Sequence, residues 1–176
     1  MNSGYLNGLR KQFEYYKILG EKTFSQISDE QLFWQYNNES NSIAIIVKHL
    51  WGNMLSRFTY FMVTDGEKEW RNRDTEFDND IKTRQELIDK WNEGWKCFFI
   101  AFNALTDDDL NKEIYIRNEL HTVTEALDRH LAHCAYHIGQ VVYIGKMVSD
   151  DKWTTLSIAK GKSKEFNKDM FSKPKQ

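Results

Sequence analysis

The sequence predicts an all-α protein, a four-helix bundle with one small β-hairpin between its third and fourth helices. Three observations carry this expectation. The single proline, Pro174, lies in the tail, so no proline before it interrupts a helix. Four long segments repeat apolar side chains at helical spacing. One stretch between the last two of them, "KEIYIRNELHT", alternates instead.

The first helix is expected from about Ser3 to Thr23, with Leu6, Leu9, Phe13, Tyr16 and Ile18 or Leu19 marking one face. Ser28 followed by Gln31 has the form of a capping box and opens a short turn, "SDEQLFWQ". "NESNS" supplies N-cap side chains for a second helix from about Ser42 to Val63. That helix is apolar around most of its circumference and should lie deep. The following run, "TDGEKEWRNRDTEFDNDIK", is too charge-dense for core and reads as a long connection. Thr83 and Glu86 form a second capping box, opening a third helix to about Leu105 whose apolar face carries Leu87, Trp91, Trp95, Phe98 and Phe102. Ile114 and Ile116 then alternate with polar residues around a turn at Asn118. Thr122 and Glu125 cap a fourth helix to about Val148. The lysine-rich tail should pack as an extended segment, anchored by Trp153, Leu156, Ile158 and Phe166, before fraying from about residue 168.

Bulk properties narrow the class. One domain spanning residues 1–176 is large enough for a core. With 40% apolar and 28% charged residues, the composition is neither disordered nor membrane-like. A net charge of −2, with basic residues gathered only in the tail, does not suit nucleic acid. No run of apolar residues is long enough to span a membrane, and the N-terminus is too polar for a signal peptide. Cys97 and Cys134 share no metal or redox spacing. A cytoplasmic location is expected. Six tryptophans and eleven phenylalanines exceed what a core of this size readily hides, so a homodimer is expected too.

Three of the five histidines fall within "HLAHCAYHIGQ", residues 130–140. His133 and His137, at i and i+4, share a helix face, the spacing by which one helix offers two imidazoles to an ion at ~2.0–2.1 Å. His130 and His133 could also pair, whereas His130 and His137 lie ~10.5 Å apart along the axis. A third ligand is offered by His49 on the deep second helix. Gly52, Asn53 and Ser56 lie on its side, small and polar where a plain core would be apolar, so a cavity is expected there. Three histidines leave positions open for water or substrate. His130 is either beyond the ligand shell or a surface residue, and His121 has no assigned role. Gln140 is placed to orient a ligand, and Gly139 to allow close helix contact.

Other motifs fail. "GKS" at 161–163 lacks the glycine a phosphate loop needs at Leu156. Cys134 points away from His133 and reads as core rather than nucleophile. The acidic run at 107–109 reads as a solvated turn.

"HLWGNMLSRF", "DGEKEWRNRD", "AHCAYHIGQVVYIGK" and "LSIAKGKSKEFN", spanning about residues 40–167, resemble the DinB/YfiT-like superfamily, and in particular a branch known as a domain of unknown function. The resemblance implies a bundle that binds a divalent metal through one histidine of the second helix and an HxxxH of the fourth, here His49, His133 and His137. Ala159 departs from the proline expected in the tail motif. Relatives of this superfamily include thiol-dependent isomerases and S-transferases using mycothiol or bacillithiol, stress-associated proteins, and many dimers.

The expectation is therefore a metal-dependent enzyme acting on a small molecule, transferring a low-molecular-weight thiol to an electrophile. The ion is Zn, Ni, Fe or Co. A metal-dependent hydrolase and a non-catalytic stress-associated binding module are the alternatives. No side chain is identifiable as a general acid or base.

Overall fold

The computed structural model describes residues 4–174, and these are mostly helical. In chain order come α1 (Gly4–Phe24), α2 (Asp29–Leu32), α3 (Ile43–Phe58), α4 (Arg84–Asn103), β1 (Glu113–Ile116), β2 (Glu119–Thr122), α5 (Val123–Ser149) and α6 (Ser163–Phe171). Short 3-10 turns fall at Asp74–Phe77, Asp107–Asp109 and Asp150–Lys152. Ser3, the expected start of the first helix, lies outside the described residues.

Local chemistry sets the boundaries. Ser28 Oγ accepts from the Gln31 N–H while the Gln31 side chain accepts from the Ser28 N–H, so this capping box is complete. Thr122 and Glu125 do the same at α5. Ser42 caps α3 by accepting from the Ile45 N–H. The box expected at α4 is only half formed. Thr83 accepts from the Glu86 N–H, but the Glu86 carboxylate accepts from the Lys82 N–H instead of closing the pair. α3 stops at Phe58, short of the expected Val63, because Thr59 turns extended and Tyr60 takes φ 52°, a left-handed conformation that ends a helix.

The tail departs most from expectation. Helix α6 forms where extended chain was expected, and none of its side chains is buried. Ile158 and Phe166 stay exposed, and only Trp153 and Leu156 are half-buried. Ser163–Phe171 contains neither glycine nor proline, and the Lys162–Glu165 ion pair supports its first turn. Without a packing surface, local propensity decides.

One cluster of buried side chains runs from Leu6 to Val141. α3 packs chiefly on α4, α1 on α5, and α3 also meets α5. Ile18 faces solvent, and Leu19 takes its place against the core. All five expected apolar residues of α4 are buried. The long helices converge on a ring cluster: Phe13 of α1, Phe58 of α3, Phe98 of α4 and His130 of α5. Their centroids stand 4.4 Å apart for Phe13–Phe98, 4.8 Å for Phe58–Phe98 and 4.6 Å for Phe58–His130. Edge and tilted contacts of this kind add to the gain from burial. Gly20 lets α1 sit against Trp91 of α4, since a Cβ there would lie 2.5 Å from the Trp91 ring.

β1 and β2 pair antiparallel with Ile116 opposite Glu119, leaving a two-residue turn. Arg117 and Asn118 both adopt positive φ, 55° and 61°, as a type I′ turn requires. Their backbone donors are held from outside the hairpin. Asp65 Oδ1 accepts from the N–H of Arg117 at 2.8 Å and of Glu67 at 2.6 Å, and Oδ2 accepts from Asn118 at 2.7 Å. Burial pushes the Asp65 carboxyl up, but these three bonds outweigh it and hold the group below its ordinary value of 3.8. Its contribution is therefore full above that value and fades as pH falls through the lowered one. Asp65→Ala should cost on the order of 1–3 kcal/mol near neutral pH by removing three hydrogen bonds to a charged acceptor. Urea unfolding at pH 7 and pH 3 should show a smaller gap between variant and parent at the lower pH.

Candidate metal centre

α3 and α5 bring the site together. The Ser42 cap starts α3 about two turns before His49, and the Thr122 capping box sets the register of α5, so that His133 and His137 stack a turn apart. His49 Nε2 stands 3.0 Å from His133 Nε2. The His49 and His137 rings are 4.8 Å apart, and those of His133 and His137 4.5 Å. One ring nitrogen from each of the three lies within 4.8 Å of the others. His49 and His137 are buried, His133 half-buried.

His130 is not part of the group. Its ring lies in the phenylalanine cluster, and its Nε2 stands 3.5 Å from Cys134 Sγ. At 5% exposure it is core rather than surface. Cys134 is fully buried, and burial pushes its thiol well up, consistent with a core residue. His121 lies on β2 opposite Ile114, away from the group.

The electrostatics favour neutral imidazoles at His133 and His137. Burial, then the neighbouring His130, His137, His49 and Arg71, lower His133 to about 2. Burial and His49 lower His137 to about 4. Neutral rings carry lone pairs, the form that ligates metals.

A carboxylate fixes the third ring. Glu76, 4% exposed, accepts at Oε2 from His49 Nδ1–H at 2.8 Å. Arg71 grips the same carboxylate through Nε at 2.7 Å and Nη2 at 3.0 Å. Burial raises Glu76, but the hydrogen bonds from His49 and Arg71 prevail and keep it below its ordinary value. An ionised acceptor at Nδ1 holds a ring hydrogen there and leaves Nε2 as the nitrogen facing His133. This is the carboxylate–histidine pair that commonly backs a ligating imidazole. The turn carrying Glu76 is tethered by Lys48, which is bonded to Thr75 O and to Asp80 Oδ1. Gly52 leaves the space, for a Cβ there would lie 2.3 Å from Glu76 Oε1.

Three converging imidazoles fit a shared ion. Nitrogens ~2.0–2.1 Å from one ion stand ~3–4 Å apart, so the observed spacings need only small side-chain adjustments. The His133 and His137 Nδ1 atoms are buried without hydrogen-bond partners, so this group does not satisfy its own polar atoms as a purely structural core would. The trio opens on a cavity of about 470 Å³ that Asn41, Asn53, Tyr136 and Gln140 also line. Phe77 stacks on His49 with centroids 5.2 Å apart.

A family model described as "Protein of unknown function (DUF1572)" matches residues 1–162. The chain belongs to this family. The DUF1572 match takes in every residue of the trio, Glu76 and the cavity wall, and stops just before α6. No curated protein matches the chain.

The trio is the one the sequence singled out, and Gln140 does line the cavity. The surroundings differ. Of Gly52, Asn53 and Ser56, only Asn53 lines the cavity: Gly52 lies under Glu76, and Ser56 Oγ donates to Gly66 O at 2.7 Å. Gly139 faces open space instead of a helix. The connection expected to stay out of the core buries Glu76, Ile81 and nearly all of the Arg71 side chain. Mutual charge pairing makes that burial tolerable, which a tally of polar residues does not see. One signal was available, since a ligating imidazole calls for a carboxylate at its second nitrogen.

Glu76→Ala should destabilise the fold by on the order of 3 kcal/mol, because Arg71 would be left buried without this partner. Gly52→Ala should cost about 1–3 kcal/mol by displacing the carboxylate while retaining its charge. Chemical denaturation checks both, and a Gly52→Ala loss exceeding that of Glu76→Ala would contradict the arrangement.

Proposed function

We propose that this chain is a DinB/YfiT-like four-helix bundle and a metal-dependent enzyme. In this reading His49, His133 and His137 hold one divalent ion, Zn, Ni, Fe or Co, and the protein transfers a low-molecular-weight thiol to an electrophilic small molecule. The observation that carries the reading is the convergence of three imidazoles, from two helices, on the wall of one cavity. A divalent ion bound there would lower the pKa of a thiol or water in its open position. The chain's own residues supply the rest. Glu76 holds the proton on His49 Nδ1, Arg71 holds Glu76, and Phe77 covers one face of the His49 ring. The cavity volume suits a small molecule rather than a polymer.

The reading includes a cytoplasmic homodimer. Trp34, Tyr36, Tyr136, Tyr143 and Met147 remain exposed around one shallow groove on the outer side of α5, an apolar surface that a second copy would cover. Among the described residues no helix is long and apolar enough to cross a membrane. Sedimentation at micromolar concentration should show a dimer, and a monomer alone would overturn this part.

Elemental analysis of purified variants tests the centre. His49→Ala, His133→Ala and His137→Ala should each lose the ion, while His130→Ala, if it folds, should keep it. The three ligand variants should still unfold cooperatively, because the core is large enough without metal. Loss of the ion from His130→Ala with retention in His49→Ala would refute the assignment. Turnover of an electrophile only with added thiol supports the transferase; turnover without thiol indicates a hydrolase, and none across a broad screen indicates a binding module.

A further inference from the structure

The cavity beside the imidazole trio has a charge pattern that metal binding does not use. Five arginines line it, Arg57, Arg71, Arg73, Arg117 and Arg129, and no aspartate or glutamate does. Their carboxylate partners are too few. Glu67 Oε2 is shared by Arg57 at 3.2 Å, Arg117 at 2.9 Å and, loosely, Arg71 at 3.7 Å. Glu76 serves Arg71 and His49. Arg73 lies over the Phe77 ring, 5.5 Å from its centroid, and among the described residues neither it nor Arg129 has a carboxylate partner. Five guanidiniums thus face two carboxylates in a protein whose net charge is −2.

The buried member of the set is also incompletely bonded. The Arg71 side chain is 2% exposed, and its Nη1 is buried without a hydrogen-bond acceptor. An orphaned donor on a buried guanidinium is costly, and an arriving oxyanion would satisfy it. Burial and the nearby Arg71 guanidinium lower the Arg57 pKa, a mark of cations crowded together. Phe58, Phe61 and Ile116 add apolar surface to the same cavity.

We propose that this cavity binds the oxyanionic group, carboxylate or phosphate, of a small molecule, with Arg73 and Arg129 as its free partners and Arg71 at the buried end. An apolar portion of the same molecule rests on Phe58, Phe61 and Ile116. The inference deepens the proposed function by naming its substrate class, and rests on that reading only for the reaction that follows binding. Planar guanidiniums pair with two oxygens at once, which favours these anions over chloride.

Calorimetric titration of the full chain tests the proposal, with inorganic phosphate and succinate in separate arms against chloride at matched ionic strength. At least one of the two should bind saturably. The Arg73→Gln/Arg129→Gln double variant should weaken it tenfold or more, whereas Lys11→Gln should not. The double variant should remain folded, since both side chains are exposed and neither joins an ion pair. Binding in one arm only identifies the group as phosphate or carboxylate. Failure of both, or equal binding by the double variant, overturns the proposal. Running the titration on His133→Ala separates the two readings. Anion binding retained without metal leaves the substrate class standing, and metal bound without anion binding removes the substrate class alone.

Discussion

The buried contact among His49, Glu76 and Arg71 is the constraint from which the site takes its form. It joins a helix chosen for burial to a connection rich in charge, and it does so through a carboxylate that is 4% exposed. Such a contact is costly to assemble and more costly to leave half-made. Each participant therefore constrains the next. Gly52 must lack a side chain, the 3-10 turn at Asp74–Phe77 must present Glu76 inward, and Lys48 must bond that turn from the other side. The orientation of the His49 ring, and with it the Nε2 aimed at His133, follows from these requirements.

The histidines of α5 divide by position on the helix. His130 lies where the long helices meet, packed among Phe13, Phe58 and Phe98, and burial followed by the Arg57 charge lowers it to about 3. One turn further on, the facing residue of α3 changes from Phe58 to His49, and the cavity whose apolar end His130 and Phe58 line becomes polar. The same run thus serves packing at one end and a converging set of imidazoles at the other. Cys134, between them in sequence, points into the apolar side.

What could be read from the sequence follows the physics of each element. Helix starts were legible at Ser28, Ser42 and Thr122 because a cap is a local event within four residues. The hairpin was legible from Ile114 and Ile116, and the trio from one spacing plus one isolated histidine. Three things were not. The end of α3 depends on the left-handed Tyr60, and no glycine marks it. Helix α6 forms on propensity, while the expectation relied on packing. Arg71 and Glu76 are buried because they find each other, and pairing across five residues of irregular chain has no periodicity to detect. The same reason hid the arginines of the cavity, which come from α3, the connection, the hairpin turn and α5.

That dispersal bears on how such a site could vary. The imidazoles sit on two helices whose positions are fixed by a shared core, whereas the groups around them come largely from irregular chain. Residues 59–83 supply Arg71, Arg73, Glu76 and Phe77 to the cavity and its support, and Asp65 of the same segment holds the hairpin turn that contributes Arg117. Asp65 accordingly couples the two irregular pieces, which also share the Gly66 N–H to Tyr115 carbonyl bond at 2.7 Å. A change in this segment can alter the charge and shape of the cavity while the helix register that brings His49 to His133 and His137 is left intact. If the trio is the proposed metal centre, its chemistry would then reside in the helices and its choice of substrate in the connection, a division that loops on a rigid scaffold permit.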